Sequence, residues 1–325
     1  MLEWRNWQKE CSQPRHQLAH RLLQTAALSP YPIDLDAMLA LPHGMLDQSG
    51  VPVNRAYGSY PEVYHPTTIA EYALACWNVY LYTKAEKYRD AFMSQVNWLI
   101  EHESPLAGGA GGWPIPFAVP AYNALPMWLS ALTQGIVLSV LIRAYQLTDE
   151  ERFLQVARRT VRTFERDIRD GGVASQIGAS GIFFEEVAVE PASHVLNGYI
   201  LALFGLYDYV FCTGDSTIDA LIQRSLTALH DLIADFDLGY WSLYDLHFRT
   251  PATLYYHALH VTLMEALVQI TQCEHCAALA SQWDRYQRSC LCRWRYFVVS
   301  RIIRYRRALR RRITCVTFFA PSGMN

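Results

Sequence analysis

Two neighbouring glutamates follow a pair of phenylalanines in the run GIFFEEV, at Glu185 and Glu186. A carboxyl group in an apolar run loses hydration, and that loss favours its protonated form. Such a group holds or takes a proton near neutral pH, as general acid/base chemistry requires. Further on, Tyr244 stands in SLYDL beside Asp245, with His247 and Arg249 close behind. Tyr255 and Tyr256 are followed by His257 and His260. Asn197, in HVLNGY, is an amide within an apolar run, and a buried amide needs partners that a bound polar ligand would supply. The two histidines lack an HExxH context and read as structural, so no metal is expected. There is no P-loop and no G-x-S-x-G elbow, and the Gly-rich GGAGGW has no strand before it. What remains is acid/base chemistry by Glu, Tyr and His in an aromatic cleft, without a cofactor.

These residues need a scaffold, and the chain carries a repeat that supplies one. Prolines fall at 66, 126, 191 and 251, separated by 60, 65 and 60 residues. Each is expected to open a helix that is apolar nearly all round, as a helix buried on both sides is. Each run ends near a threonine (Thr83, Thr148, Thr213, Thr271), read as the N-cap of an amphipathic helix that follows. Four inner–outer pairs with a period near 60 predict an all-α fold, an α/α toroid of about four helix pairs. Because the pairs alternate in direction, the Gly- and aromatic-rich loops between them gather on one face. Long loops converging on a rigid scaffold are where binding chemistry is expected. The candidate residues all fall on that face.

Three segments follow from this reading. Residues 1–60 comprise one helix candidate (QPRHQLAHRLLQTAAL) and an irregular stretch through Tyr60. Residues 61–289 form the toroid, and residues 290–325 a basic tail. The composition is globular, with 51% hydrophobic and 18% charged residues. The formal charge of −2 hides a division: residues 285–325 hold eleven Arg and no acid, leaving 17 basic and 30 acidic residues in 1–284. The acidic body argues against nucleic-acid binding there. The tail reads either as a contact for polyanions or a membrane surface, or as a non-native reading frame, the latter preferred for the abruptness of the change. The MLEWRNWQKE opening is not a secretory signal and no long apolar span occurs, so a cytoplasmic location is the expectation. Cys273, Cys276, Cys290 and Cys292 have a spacing that suits a zinc knuckle poorly, and ordinary thiols are expected.

From about Pro61 to Ser289, the motifs SALTQGIVLSVLIRAYQLT, FFEEVAVEPASHVLNGYILALFGLYDY, GYWSLYDL and YYHALHVTLMEAL resemble, in matching order, the C-terminal helical domain of the D-glucuronyl C5-epimerase family. The resemblance implies an isomerase that inverts C5 of glucuronate to give iduronate within a heparan-sulfate-like polysaccharide, without a redox cofactor. It implies that Tyr244 and Tyr256 flank the sugar and move the C5 proton. Glu186 would stabilise the enolate-like intermediate, with Asn197 orienting the ring. A free tyrosine titrates near 10, so a tyrosine base needs a cation, for which His247, Arg249 and His257 are the local candidates. Glu185, Trp113, Tyr64 and Gln134 complete the expected substrate-binding set. A homodimer is a further expectation.

Two positions depart from the family pattern. Val187 stands where the family has a further tyrosine, and His247 where it commonly has arginine. A polysaccharide lyase on the same scaffold and a non-catalytic binder of uronate polymers are therefore the alternatives.

Overall fold

The computed structural model describes residues 29–40, 45–57 and 60–317. The helix expected before residue 29 and residues 318–325 of the tail lie outside the described residues. Four inner helices recur, each 18 residues long: α1 (Pro66–Thr83), α3 (Ala131–Thr148), α5 (Leu196–Thr213) and α7 (Leu254–Thr271). At 1.5 Å per residue each spans about 27 Å. Between them run the outer helices α2 (Glu86–Glu101), α4 (Glu151–Val161), α6 (Ser216–Leu232) and α8 (Glu274–Arg288). Each outer helix packs on its own inner partner, and the inner helices pack in succession, α1 on α3, α3 on α5, α5 on α7. The α3–α5 crossing is backbone to backbone. A Cβ at Gly205 would lie 1.9 Å from the Gly135 carbonyl oxygen, and one at Gly135 would lie 2.4 Å from Ala202 Cα.

The turn from inner to outer helix is the same each time, and it corrects the capping expectation. Thr83, Thr148, Thr213 and Thr271 are the last residues of their inner helices. Each Oγ1 donates to the carbonyl four residues back, at 2.8 Å in all four cases. Each also accepts the N–H two residues on, at 3.2–3.3 Å. The residue between is left-handed: Lys84, Asp149, Gly214 and Gln272, with φ of 55°, 58°, 69° and 56°. The outer helices are therefore capped by Ala85, Glu150, Asp215 and Cys273, and the threonines tie the two helices together.

The prolines need a similar correction. Only Pro66 occupies a first helical turn; Pro126, Pro191 and Pro251 stand in the loops before Ala131, Leu196 and Leu254. The last three inner helices begin after Ser130, Val195 and Thr253 instead. The connecting loops also hold strands that helical periodicity does not reveal. A hairpin of β1 (Asn54–Tyr57) and β2 (Tyr60–Val63) begins within the stretch read as irregular and runs past its end at Tyr60. A short pair, β3 (Ser104–Pro105) and β4 (Gly111–Gly112), follows α2. A third hairpin, β5 (Ala174–Ile177) and β6 (Gly181–Phe184), leads directly into Glu185.

The end of the bundle away from these loops is closed by residues 29–33. Tyr31 N–H donates to Asn78 Oδ1 at 2.8 Å, and its ring lies edge-on to Phe204. Arg143, 2% exposed, pairs with Asp208 at 2.5 Å. The basic tail begins as a helix, α9 (Cys290–Thr317), with Tyr296 stacked on Trp241 at 4.8 Å and Arg295 over Tyr240 at 4.1 Å. Among the described residues, no helix is long and apolar enough to cross a membrane.

Candidate active site

Strand β6 ends in Phe183 and Phe184, both fully buried, and the chain then presents two carboxylates to opposite sides. Alternation along an extended chain sends neighbouring side chains apart, and here their fates differ completely. Glu185 turns into the protein, with no exposed surface. Its Oε1 accepts from Ser175 Oγ at 2.5 Å and meets His194 Nδ1 at 2.6 Å. Its Oε2 accepts from Ser193 N at 3.0 Å, Ser193 Oγ at 2.9 Å and His194 N at 2.7 Å. Five polar partners satisfy this carboxylate, expected to bind substrate, and it holds the 193–194 turn.

Glu186 faces the start of α5. The first four N–H groups of a helix have no partner within it, and the N-cap residue Val195 offers no side-chain acceptor. Glu186 fills the gap: it accepts from the Gly198 N–H, from Asn197 Nδ2 at 3.0 Å and from the Tyr244 hydroxyl at 3.2 Å. The approach needs a glycine, because a Cβ at position 198 would lie 2.3 Å from Glu186 Oε2. These bonds favour the anion, but desolvation outweighs them and Asp245 adds repulsion, so Glu186 is pushed up to about 7. Asn197 is 4% exposed, and its Oδ1 has no partner among the described residues.

Tyr244 and Tyr256 stand together behind Glu186, ring centroids 4.7 Å apart, and their hydroxyls are hydrogen-bond partners. Burial raises both phenols, first by desolvation and then by the Glu186 charge. The cation expected to lower a phenol's pKa is not supplied by His257. Its Nδ1 accepts the Ser242 N–H at 3.2 Å, so Nε2 carries the proton and donates to the Trp283 carbonyl at 3.1 Å. Burial holds this imidazole near 4, neutral at pH 7. The Ser242 hydroxyl bridges it to His260, at 2.8 and 2.9 Å, and the Trp241 ring stacks on it at 3.7 Å. His257 thus anchors the loop that carries Tyr244. His247 stands at the rim against Phe248, at 4.3 Å between centroids, and Arg249 Nη2 donates to the Asp235 carbonyl at 3.4 Å.

The remaining expected ligands lie elsewhere. Gln134 is fully buried and exchanges two 3.2 Å hydrogen bonds with the backbone of Trp113, fixing the 111–113 segment. Trp113 is 1% exposed, with its indole N–H on the Leu99 carbonyl at 2.8 Å. Tyr64, 40% exposed, stacks on Trp98 of α2 with ring centroids 5.5 Å apart. Val187 is buried, its carbonyl accepting from Ser193 Oγ at 3.3 Å.

One residue escaped the sequence reading. Glu71, on α1, is desolvated and repelled by Glu186, and it too is pushed up to about 7. Its charge also raises Tyr256, which puts it among the same groups. The signal was present, since Glu71 is the sole charged residue in the 18-residue helix PTTIAEYALACWNVYLYT. Two carboxyls poised near neutrality and two high-pKa phenols form a site that can accept a proton at one place and donate one at another.

Known proteins share the fold and part of the sequence. A GH76 alpha-mannanase of Bacteroides thetaiotaomicron has a similar fold, with TM-score 0.51 and 14% identity over 78% of this chain and 68% of that chain. The D-glucuronyl C5-epimerase of Caenorhabditis elegans is 30% identical over 225 residues, 62% of this chain and 36% of that protein. An uncharacterized protein of Methanocaldococcus jannaschii is 32% identical over 136 residues, 41% of this chain and 44% of that protein. The chain thus spans less than half the length of these curated relatives. The family described as D-glucuronyl C5-epimerase C-terminus matches residues 108–285, a stretch that includes Glu186, Asn197, Tyr244 and Tyr256. That match spans more than half of the chain, and the protein belongs to the D-glucuronyl C5-epimerase family.

Proposed function

We propose that the protein is a uronyl C5-epimerase acting on glucuronate residues within a polysaccharide, with Glu186, Tyr244 and Tyr256 as its catalytic residues. The observation that carries this reading is the hydrogen-bonded line from Glu186 through Tyr244 to Tyr256, at the loop face of the bundle. Inversion at C5 removes a proton alpha to a carboxylate and returns one to the opposite face. A base working near neutral pH is best matched by a group titrating there, and Glu186, near 7, is that group. The raised phenols are proton donors at rest.

The division of labour follows. The Glu186 carboxylate takes the C5 proton, and the electron pair of the C–H bond delocalises into the sugar carboxylate as an enolate. The Tyr256 hydroxyl gives its proton to the other face of C5. That leaves Glu186 protonated and Tyr256 as phenolate. Tyr244 resets both, accepting the Glu186 proton while passing its own to Tyr256, so no net proton, electron or co-reactant is consumed. This reverses the role expected of the tyrosine, because the neutral His257 provides no charge to stabilise a resting phenolate. Arg249, on the loop after Tyr244, supplies positive charge for the substrate carboxylate. Asn197 Oδ1, without a partner among the described residues, accepts a sugar hydroxyl.

Incubation with non-sulfated polyglucuronate-type polymers in D2O, followed by NMR at C5, tests the reading. Deuterium at C5 together with an iduronate signal supports it. An unsaturated uronate product would instead mean elimination on the same scaffold. Polymer binding with no exchange would mean a non-catalytic member.

A further inference from the structure

Two loops meet at the mouth of the Glu186 site. The loop from α2 to α3 is drawn into a finger, because Ile115 N–H donates to the Trp128 carbonyl at 2.8 Å and Val119 N–H to the Ala124 carbonyl at 2.9 Å. Trp128 Nε1 closes on the Phe117 carbonyl at 2.8 Å. Tyr122 stands at the tip, its N–H on the Val119 carbonyl at 3.0 Å, and Asn123 turns the chain back in a left-handed conformation, φ 57°. The second loop, between α6 and α7, carries Tyr244. The Tyr244 N–H donates to the Thr250 carbonyl at 2.9 Å, which closes residues 244–250 into a turn, and the Phe248 N–H donates to the Asp245 carboxylate. The finger tip rests on this turn: the Tyr122 ring lies 5.2 Å from that of Phe248 and 6.0 Å from that of His247, centroid to centroid. A charge on the Tyr122 hydroxyl raises Tyr244, so that hydroxyl stands among the groups of the site.

The exposed side of this contact has the chemistry of a sugar-binding surface. Burying a phenylalanine side chain contributes about 1.5–3 kcal/mol, yet Phe248, packed on one side, is left 42% exposed, with Leu125 and Met127 of the finger at 77% and 61%. His247 and Arg249, both exposed, flank Phe248 in the sequence of the turn. Rings interleaved with polar groups suit a ligand that is apolar on its faces and polar around its edge, as a pyranose is. Both loops are pinned by their own backbone, so little entropy is lost when the rings are covered. The surface also lies where such a ligand would be. A uronate within a polysaccharide is covalently joined to its neighbours, and Phe248 shares a closed turn with Tyr244, whose hydroxyl donates to Glu186.

We infer that the Tyr122–Phe248 ring pair binds the pyranose residue joined directly to the uronate at Glu186, and so helps to set which polymers are taken. The inference rests on the reading of a polysaccharide substrate but is tested without turnover. The full chain is titrated with two trisaccharides, glucuronate flanked by N-acetylglucosamine and glucuronate flanked by glucuronate, and with methyl glucuronide, using calorimetry and saturation-transfer NMR. At least one trisaccharide is expected to bind more tightly than methyl glucuronide. Phe248→Leu, which keeps the bulk but not the ring, is expected to weaken that trisaccharide about ten-fold, as is Tyr122→Ala, whereas Phe248→Tyr binds it as wild type does. Methyl glucuronide, which has no neighbouring sugar, is expected to be indifferent to Phe248→Leu. Thermal melting checks the fold, and if Tyr122→Ala unfolds, the exposed Phe248 decides the matter through its Leu and Tyr variants. A trisaccharide that binds Phe248→Leu at the wild-type Kd overturns the inference, as does equal loss in Phe248→Leu and Phe248→Tyr. So does a methyl glucuronide weakened as much as the trisaccharide, which would make the rings a support for the turn, or the failure of both trisaccharides to bind. C5 exchange with trisaccharide binding that ignores Phe248 rejects the ring pair alone. Ring-dependent binding without C5 exchange rejects the epimerase reading alone.

Discussion

One added methyl group at Gly198 tests whether the position of Glu186 sets the rate. A Cβ there would lie 2.3, 2.5 and 2.7 Å from Glu186 Oε2, Cβ and Cγ. Ordinary contact begins near 3.4 Å, so the glutamate must retreat by about 1 Å. The retreat breaks its bonds to the Gly198 N–H, Asn197 and Tyr244. A displacement of about 1 Å at a reacting group costs roughly 10²-fold in rate. Stability should change much less. Overpacking costs about 1–3 kcal/mol, and alanine in a helix regains about 0.5–1 kcal/mol over glycine. The assay is the initial rate of deuterium incorporation at C5, with the thermal midpoint measured on the same preparation. We expect Gly198→Ala to fold, to melt within several degrees of wild type and to exchange about a hundred-fold more slowly. A folded Gly198→Ala that exchanges at the wild-type rate refutes the role given to Glu186.

Other substitutions separate scaffold from chemistry. Glu71 and Glu186 titrate near 7 in the folded chain and near 4.5 when unfolded, so the folded state holds protons the unfolded state has released. Stability therefore falls as pH rises from about 4.5 to about 7; Glu71→Gln should shrink that fall in melting experiments, and an undiminished fall contradicts the placement. Relief of repulsion should also move the pH–rate profile of Glu71→Gln to lower pH. Ser242→Ala removes the hydroxyl between His257 and His260 and should cost about 1–3 kcal/mol in denaturant unfolding; an unchanged midpoint counts against the neutral network. Glu185→Ala strands the donors of Ser175, Ser193 and His194 and should cost at least about 3 kcal/mol, whereas a catalytic effect with full stability would return Glu185 to the site.

The architecture was legible because it depends on periodicity. Helices buried on both sides read as apolar all round, and the amphipathic outer helices read as such. The caps were misplaced because a threonine before a turn looks alike whether it starts the next helix or bonds back into the last one. Only the left-handed residue after it decides. The β5–β6 hairpin was hidden by its length, four residues a side in a Gly-rich loop. Its alternation is what separates Glu185 from Glu186, so residue type alone could not tell the buried ligand of Ser193 from the group at the site. His257 was mistaken for a cation because the sequence does not show the Trp241 ring stacked on it or the Trp283 carbonyl that takes its proton. Glu71 was overlooked although a single acid in an otherwise uncharged helix is itself a signal, since burying a charge is costly.

The pH dependence of C5 deuterium exchange tests the central claim most directly. With Glu186 as base, kcat/KM rises with pH through about 7 as the carboxyl ionises and then levels. Glu186→Gln should remove the rise and lower the rate by roughly 10²–10⁴-fold. A rate that falls through pH 7, or a Glu186→Gln variant that still exchanges at the wild-type rate, contradicts the account.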